Sequence, residues 1–250
     1  MDYLNKNKDF FNSVSGFYDD MIGFNKSLKK RADVYKKILN TSIKTAADLG
    51  CGTGLDSIAL DKNGIKVTAF DLSTEMINVA LVNSIKHNCK INFVCSGIDK
   101  IPIKYNGKFD FAVSMGNTLA NLESKALYKA FEKAHKILNK NGVFILQVLN
   151  FGKLIKGNKR IIKISSLPGE YIIRFYDILK RNLNFNIMRF KSANTNEYEL
   201  NTTTLYPYSK TELLDRLQKA GFRKIKIYGS LNFDKFNLKS SNDLIIYSEK

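Results

Sequence analysis

Apolar positions along the chain change period several times, and each change marks an element boundary. Residues 7–22 place Phe10, Phe11, Val14, Phe17, Tyr18 and Ile22 at helical spacing, and residues 27–39 repeat the pattern with Leu28, Ala32, Tyr35, Ile38 and Leu39. These two segments predict helices that precede the first strand and cover it. From Ile43 onward short apolar runs alternate with helical stretches. The runs 43–49, 65–70, 91–94, 109–113 and 143–149 predict buried parallel strands, with helices expected from Leu55 and over 74–87 and 124–138. A turn is expected at Asn141-Gly142. Such βα alternation predicts a doubly wound α/β sheet whose ligand lies at the carboxyl ends of the strands.

After Asn150 the alternation stops. Segments 160–164, 171–179, 186–190 and 198–204 have strand character, and Leu167-Pro168-Gly169-Glu170 has the composition of a type II turn. Further turns are expected near 180–184 and 192–196. Residues 151–208 therefore predict an antiparallel β cap inserted after the fifth strand. Arg174 and Tyr176 share one face of it by the two-residue period, either inward or toward solvent. A helix over 211–220, stopped by Gly221, and strands over 222–228 and 243–247 complete the sheet. The expected architecture is a Rossmann-like seven-stranded sheet, mostly parallel with an antiparallel last strand. Residues 1–150 and 209–250 form the main domain, with 1–42 as N-terminal helices covering the site.

The first strand runs into Asp48-Leu49-Gly50-Cys51-Gly52-Thr53-Gly54. Glycines at alternate positions allow a sharp turn and close approach of backbone to a ligand. The helix start behind them offers unpaired N–H groups to a carboxylate or phosphate. A dinucleotide fingerprint reads G-x-G-x-x-G, whereas Leu55 stands here where its third glycine belongs. An acidic residue entering the loop, Asp48, suits a ligand with a cationic amino group, such as the methionine half of S-adenosylmethionine. The second strand ends at Asp71, which follows the loop at close to the roughly 20-residue spacing of a ribose-binding carboxylate.

These residues resemble class I S-adenosylmethionine-dependent methyltransferases, over about 48–150 and again over 205–247. The resemblance implies that Asp48, Gly50, Cys51, Gly52 and Gly54 hold the methionine part and that Asp71 takes the ribose hydroxyls. It implies that Leu72 and Met76, with Ser73, flank the adenine. In many relatives an acid at the position of Gly97 accepts from the adenine amino group. Here that position is glycine, Asp99 stands two residues on, and the backbone of Ile98 remains available. Phe17-Tyr18-Asp19 is similar to the Tyr-Asp pair whose tyrosine closes over the cofactor. Arg31 with Tyr35 is similar to the Arg-x-x-x-Tyr of glycine N-methyltransferase-like enzymes, whose arginine pairs with the cofactor carboxylate. Core packing for Tyr18 and a solvated helix face for Arg31 are the structural alternatives.

Substrate class is addressed by the stretch after the fourth strand. Phe109-Asp110 and Gly116-Asn117 with Leu119-Ala120, together with Gly54-Leu55-Asp56-Ser57-Ile58, resemble glycine/sarcosine N-methyltransferases and neighbouring small-molecule enzymes. Met115 and Asn117 become cofactor candidates on that basis. The Asn/Asp-Pro-Pro-aromatic signature of amino-group methyltransferases acting on bases or on protein glutamine is missing, as is a Pro-Cys nucleophile.

Composition changes this picture little. A chain of 250 residues, 44% hydrophobic, buries a large core. The net charge of +17 raises a nucleic-acid partner, yet the lysines are spread from Lys6 to Lys224 without an aromatic-interleaved cluster. Nucleic acid is accordingly not the expected partner; a small-molecule methyl acceptor is, and a homo-oligomer stays open. Cys51, Cys89 and Cys95 with His87 and His135 form no metal motif, so no metal is expected. No apolar run approaches the roughly 18 residues of a membrane span, and a polar start without a signal-like centre points to the cytoplasm.

A methyl sulfonium is already activated, so the protein must chiefly hold a nucleophile in line and exclude water, and positioning alone contributes about 7–11 kcal/mol. Asn150, Arg174 and Tyr206 are the candidates for orienting the acceptor, Arg174 because a guanidinium binds a carboxylate bidentately. The expected function is methyl transfer to a small molecule, at an amine or amino acid nitrogen. An RNA-modifying methyltransferase and a non-catalytic cofactor-binding module are the alternatives.

Overall fold

A computed structural model describes residues 3–157 and 160–250. Helices α1 (Tyr3–Ile22) and α2 (Phe24–Ile38) are separated by Gly23, whose φ of 63° breaks the helix where a side chain would be strained. The main domain then runs β1 (Thr45–Leu49), α3 (Leu55–Asp61), β2 (Lys66–Asp71), α4 (Thr74–Lys86), β3 (Asn92–Cys95), β4 (Phe109–Ser114), α5 (Ser124–Ile137) and β5 (Leu138–Leu149). A short α6 (Phe151–Lys156) leads to the inserted strands β6 (Ile161–Leu167), β7 (Glu170–Ile178), β8 (Leu183–Lys191) and β9 (Asn194–Leu205). The chain closes with α7 (Lys210–Lys219), β10 (Arg223–Tyr228) and β11 (Asp243–Glu249).

The main sheet has the order β10-β11-β5-β4-β1-β2-β3. Its strands pair in parallel except β11, which is antiparallel to both β5 and β10. From β1 the chain winds one way to β2 and β3, then returns to the other side for β4 and β5. The switch point between β1 and β4 opens a crevice at the carboxyl ends, where the glycine loop leaves β1. Successive strand residues serve opposite faces. Ala47 and Leu49 pack with Leu127 and Phe131 of α5, while Ala46 packs with Ile58 of α3 and Leu28 and Tyr35 of α2. Both faces are covered, so these strands read as continuous apolar runs.

Three expectations change. β5 starts at Leu138, which pairs with Phe109; Asn141 (φ 66°) and Gly142 form an irregularity inside the strand rather than a separate turn. α6 was hidden in the sequence because it is six residues long and buries only Phe151. Of the two N-terminal helices, α2 is the one that covers the sheet. α1 instead packs Phe10, Val14, Phe17 and Met21 against Ile172 of β7 and Ile187 of β8.

The insert forms a separate antiparallel sheet ordered β6-β7-β8-β9, as the break in alternation predicts. Its first hairpin turns at Pro168-Gly169, where Gly169 takes a φ of 79°. Arg174 lies between Ile172 and Tyr176 on β7, opposite Ile187 of β8, and this is the inward face. Among the described residues, no helix is long and apolar enough to cross a membrane, and no cluster of His, Cys, Asp or Glu is placed to hold a metal ion.

Candidate functional site

The glycine loop is built by strand-end hydrogen bonds. The N–H groups of Gly50 and Cys51 both donate to the Phe70 carbonyl, at 2.8 and 3.0 Å, which folds the end of β1 onto that of β2. Gly50 has a φ of 82°, and a Cβ there would stand 2.2 Å from Thr118 Cγ2, so no side chain fits. Asp71 is pinned from two sides: its Oδ2 accepts from Gly52 N at 2.8 Å and its Oδ1 from Ser73 N at 2.9 Å. Burial raises its pKa and these backbone bonds oppose the rise. A carboxylate held in this way costs no further ordering when hydroxyls approach its remaining lone pairs.

Beside the loop lies a cavity of about 270 Å³. It is lined by Tyr18, Arg31, Gly50, Cys51, Gly52, Asp71, Leu72, Met76, Ile98 and Met115, ten of the residues expected from the sequence. α1 forms its roof and is held across it by polar bonds, Ser73 Oγ to Asn12 Oδ1 at 2.6 Å and Asn83 Nδ2 to Asp19 Oδ2 at 2.7 Å. Burial, and secondarily Asp71, push the Tyr18 hydroxyl up to about 12, so it is a neutral donor at physiological pH.

Arg31 reaches the cavity from α2 while pairing with Asp56 of α3, which also accepts from the Tyr35 hydroxyl. Burial works against the Arg31 charge, but Asp56 and Tyr35 outweigh it and hold the pKa above its ordinary value. Asp56 was not foreseen as a wall residue, nor were Phe11, Thr53, Thr118 and Asn121. Thr53 and Asn121 line the cavity, and Thr53 Oγ1 and Asn121 Oδ1 are buried with no hydrogen-bond partner. Asn121 belongs to a 3-10 turn (Thr118–Asn121) whose position follows from the sheet order, and no spacing rule in the sequence signals it.

Six candidates do not line this cavity. Asp48 lies beneath the loop, 1% exposed, and its Oδ2 accepts from Ser57 Oγ at 2.6 Å. Gly54 serves packing, since a Cβ there would meet Ala80 Cβ at 3.2 Å. Asn117 turns its Oδ1 to the Leu149 N–H at 3.0 Å, tying β4 to the end of β5. Asn150 caps α6 by accepting from Lys153 N and donates to the carbonyls of Leu238 and Ser241, each at 2.9 Å. Its side chain thereby holds the last loop to the end of β5. Tyr206 stacks on Tyr208 and donates its N–H to Ala120 O at 2.7 Å, anchoring the return from the cap. Arg174 is set back from the cavity but within electrostatic reach of Tyr18 and Tyr176. Its Nε is buried without a partner, and burial lowers its pKa.

Asp48 has a measurable consequence. Burial first, and the Asp56 charge second, push its carboxyl from 3.8 up to about 8. Between those values the folded chain holds a proton that the unfolded chain has lost, so this group makes stability decline as pH rises through that window. Asp48→Asn should flatten that slope in thermal unfolding followed from pH 5 to pH 8; an unchanged slope would show that Asp48 ionises normally.

The cavity suits S-adenosylmethionine on its lining: Arg31 for a carboxylate, Asp71 for vicinal hydroxyls, and the apolar side chains of Leu72, Met76 and Ile98 for a flat base. Residues 46–142 match the methyltransferase domain family. The chain is 26% identical to a carboxy-S-adenosyl-L-methionine synthase of Campylobacter jejuni, across 92% of this chain and 93% of that one. It is 20% identical to a glycine/sarcosine N-methyltransferase of Parasynechococcus marenigrum, across 91% and 80%. A solved S-adenosylmethionine-dependent methyltransferase from Clostridium acetobutylicum has the same fold, with a TM-score of 0.77 at 20% identity over 96% of this chain and 98% of that one. The loop, the pinned Asp71, the strand order and these relatives agree in supporting a class I S-adenosylmethionine-dependent methyltransferase, with the methyltransferase domain itself matched over residues 46–142.

Proposed function

We propose that this enzyme methylates a small molecule at an amine or amino acid nitrogen, held beneath the inserted sheet. The observation that carries the reading is Arg174, a partly buried guanidinium whose Nε has no acceptor and whose neighbours are two neutral tyrosines. A charge desolvated without compensation is costly unless an anion arrives to pair with it. An acceptor carboxylate would supply that partner, and Tyr18, which is within electrostatic reach of Arg174, lines the cavity. The bound cofactor supplies an electrophilic methyl group. The chain's own tasks are to orient the acceptor, exclude water and favour the unprotonated amine, which a desolvated space does by disfavouring the charged form. The name of the glycine/sarcosine N-methyltransferase relative agrees with this acceptor class. The test is transfer from methyl-labelled cofactor to a panel of amino acids and amines. Turnover of at least one carboxylated amine is expected, and none across the panel would contradict the reading.

A second reading is favoured by coverage, since the synthase relative matches almost end to end. There the product would be carboxy-S-adenosylmethionine, so the modified molecule is the cofactor itself, which mass analysis of the same reaction distinguishes.

An RNA acceptor finds no support in the roofed cavity. If the charge of +17 is compositional, RNA binding should be weak, salt-labile and indifferent to sequence. A labelled-RNA titration at physiological salt checks this, and submicromolar binding that discriminates between RNAs would reverse the ranking.

A further inference from the structure

The inserted sheet has two apolar faces, and among the described residues only one of them is covered. The inner face carries Ile172 and Ile187, which pack against α1. Strand residues alternate between faces, so Tyr171 and Ile173 on β7 point the other way. The register aligns Ile164, Ile173, Met188 and Leu200 in one outward row across all four strands. A second row joins Tyr171, Phe190 and Tyr198, with the Tyr171 and Phe190 rings stacked at 5.6 Å. None of these side chains belongs to a hydrophobic cluster of the described residues. Ile164, Leu200 and Tyr198 are 58%, 49% and 63% exposed.

The chemistry of this face narrows what can cover it. The chain carries 40 basic and 23 acidic residues. Yet the outward positions of β7, β8 and β9 hold one charge, Asp177 at the margin, which accepts from Asn186 Nδ2 at 2.8 Å. A nucleic acid or an anionic membrane is bound through Lys and Arg, and these positions offer neither. The fitting partner is an uncharged apolar surface of matching size. β7 and β8 are nine residues long, which at about 3.4 Å per residue and about 4.8 Å per strand gives a face of about 30 by 19 Å. Two such faces in contact cover about 1,100 Å², just above the roughly 1,000 Å² that a specific interface needs.

We propose that the outward face of the inserted sheet is a dimer interface, covered by the same face of a second copy of this chain. A two-fold axis sets a surface against itself, so one apolar patch serves both partners. Twisted sheets stack face to face at about −30° with about 10 Å between them, and the two inserts then close a β-sandwich across the axis. Ile173 and Met188 pair with each other on the two central strands and lie nearest that axis. Arg174 is on the opposite face of β7, so association covers the back of the sheet and leaves the cavity side open. The inference concerns assembly and does not depend on which acceptor is methylated.

The experiment is sedimentation velocity on the full chain from about 1 to 100 µM, the weak end of the range for interfaces near this size. A concentration-dependent dimer is expected. Two chains of net charge +17 repel, so raising salt from about 50 to 500 mM should strengthen the dimer, whereas a contact held by opposite charges would weaken. Met188→Lys puts a charge at the centre of the interface and should raise the dissociation constant by about 100-fold. Leu200→Lys, at a half-exposed position on an edge strand, is a second variant expected to raise it by about 10-fold. Undiminished S-adenosylmethionine binding in calorimetric titration is the control that each variant is folded. A wild type that stays monomeric at the highest concentration would overturn the proposal. A dimer that neither variant weakens would overturn it too, by placing the interface elsewhere. The same holds for a monomer that cosediments with neutral phospholipid vesicles, which would assign the face to a lipid surface.

Discussion

Arg174→Met is expected to cut kcat/KM for a carboxylated acceptor by about 30- to 150-fold while leaving cofactor affinity nearly unchanged. The magnitude follows from what the guanidinium faces. Truncating one partner of a buried charge pair costs about 2–5 kcal/mol, and because Arg174 is only partly buried the lower part of that range applies. Methionine keeps the length and the apolar stem, so the packing between Ile172 and Tyr176 on β7 is preserved. The loss should disappear for an acceptor without a carboxylate, which separates recognition from general damage to the cap. Steady-state kinetics on matched acceptors with and without the carboxylate provide the check. Equal losses on both would assign Arg174 to the structure of the cap and leave the acceptor anion unexplained.

Asp71→Ala is expected to weaken S-adenosylmethionine by about 1.5–3 kcal/mol, typical of hydrogen bonds to a charged acceptor. That is about 10- to 150-fold in Kd. Two effects act in the same direction. The ribose hydroxyls lose their acceptor, and the N–H groups of Gly52 and Ser73 lose the carboxylate that fixes the loop. Asp71→Asn is not a gentle substitute, because both carboxylate oxygens face backbone donors and an amide would turn its NH₂ toward one of them. Calorimetric titration, with thermal unfolding as the control, checks the result. A folded variant with undiminished affinity would remove Asp71 from the ribose site.

The parts of this site that were legible in the sequence are those fixed by backbone geometry. The alternate glycines, the acid at the end of β2 and the apolar runs determine the loop, the place of Asp71 and the succession of strands before any side chain is oriented. Side-chain direction was not legible. Asn117 and Asn150 follow the carboxyl ends of β4 and β5, where a sequence reading places functional groups. Each instead satisfies backbone groups that the end of β5 and the start of α6 would otherwise leave unpaired. The Phe109-Asp110 motif has a similar explanation, since Asp110 Oδ2 accepts from Lys44 N and Thr45 N and thereby fixes the start of β1. Wall residues such as Phe11 and Asn121 come from elements far apart in the chain, so only the packing of α1 across the crevice reveals them. The role of α1 was misjudged for a related reason: its apolar stripe predicts a buried face without saying which surface buries it, and that surface proved to be the cap.

The most direct test of the central claim is to follow the carbon of a ¹³C-methyl-labelled cofactor by NMR in a reaction containing a carboxylated amine that the enzyme turns over. The account predicts that the label leaves sulfur and appears as an N-methyl resonance on the amine, in step with formation of S-adenosylhomocysteine. A label that stays on sulfur while the cofactor itself is converted, or that moves to added RNA and not to the amine, would contradict it.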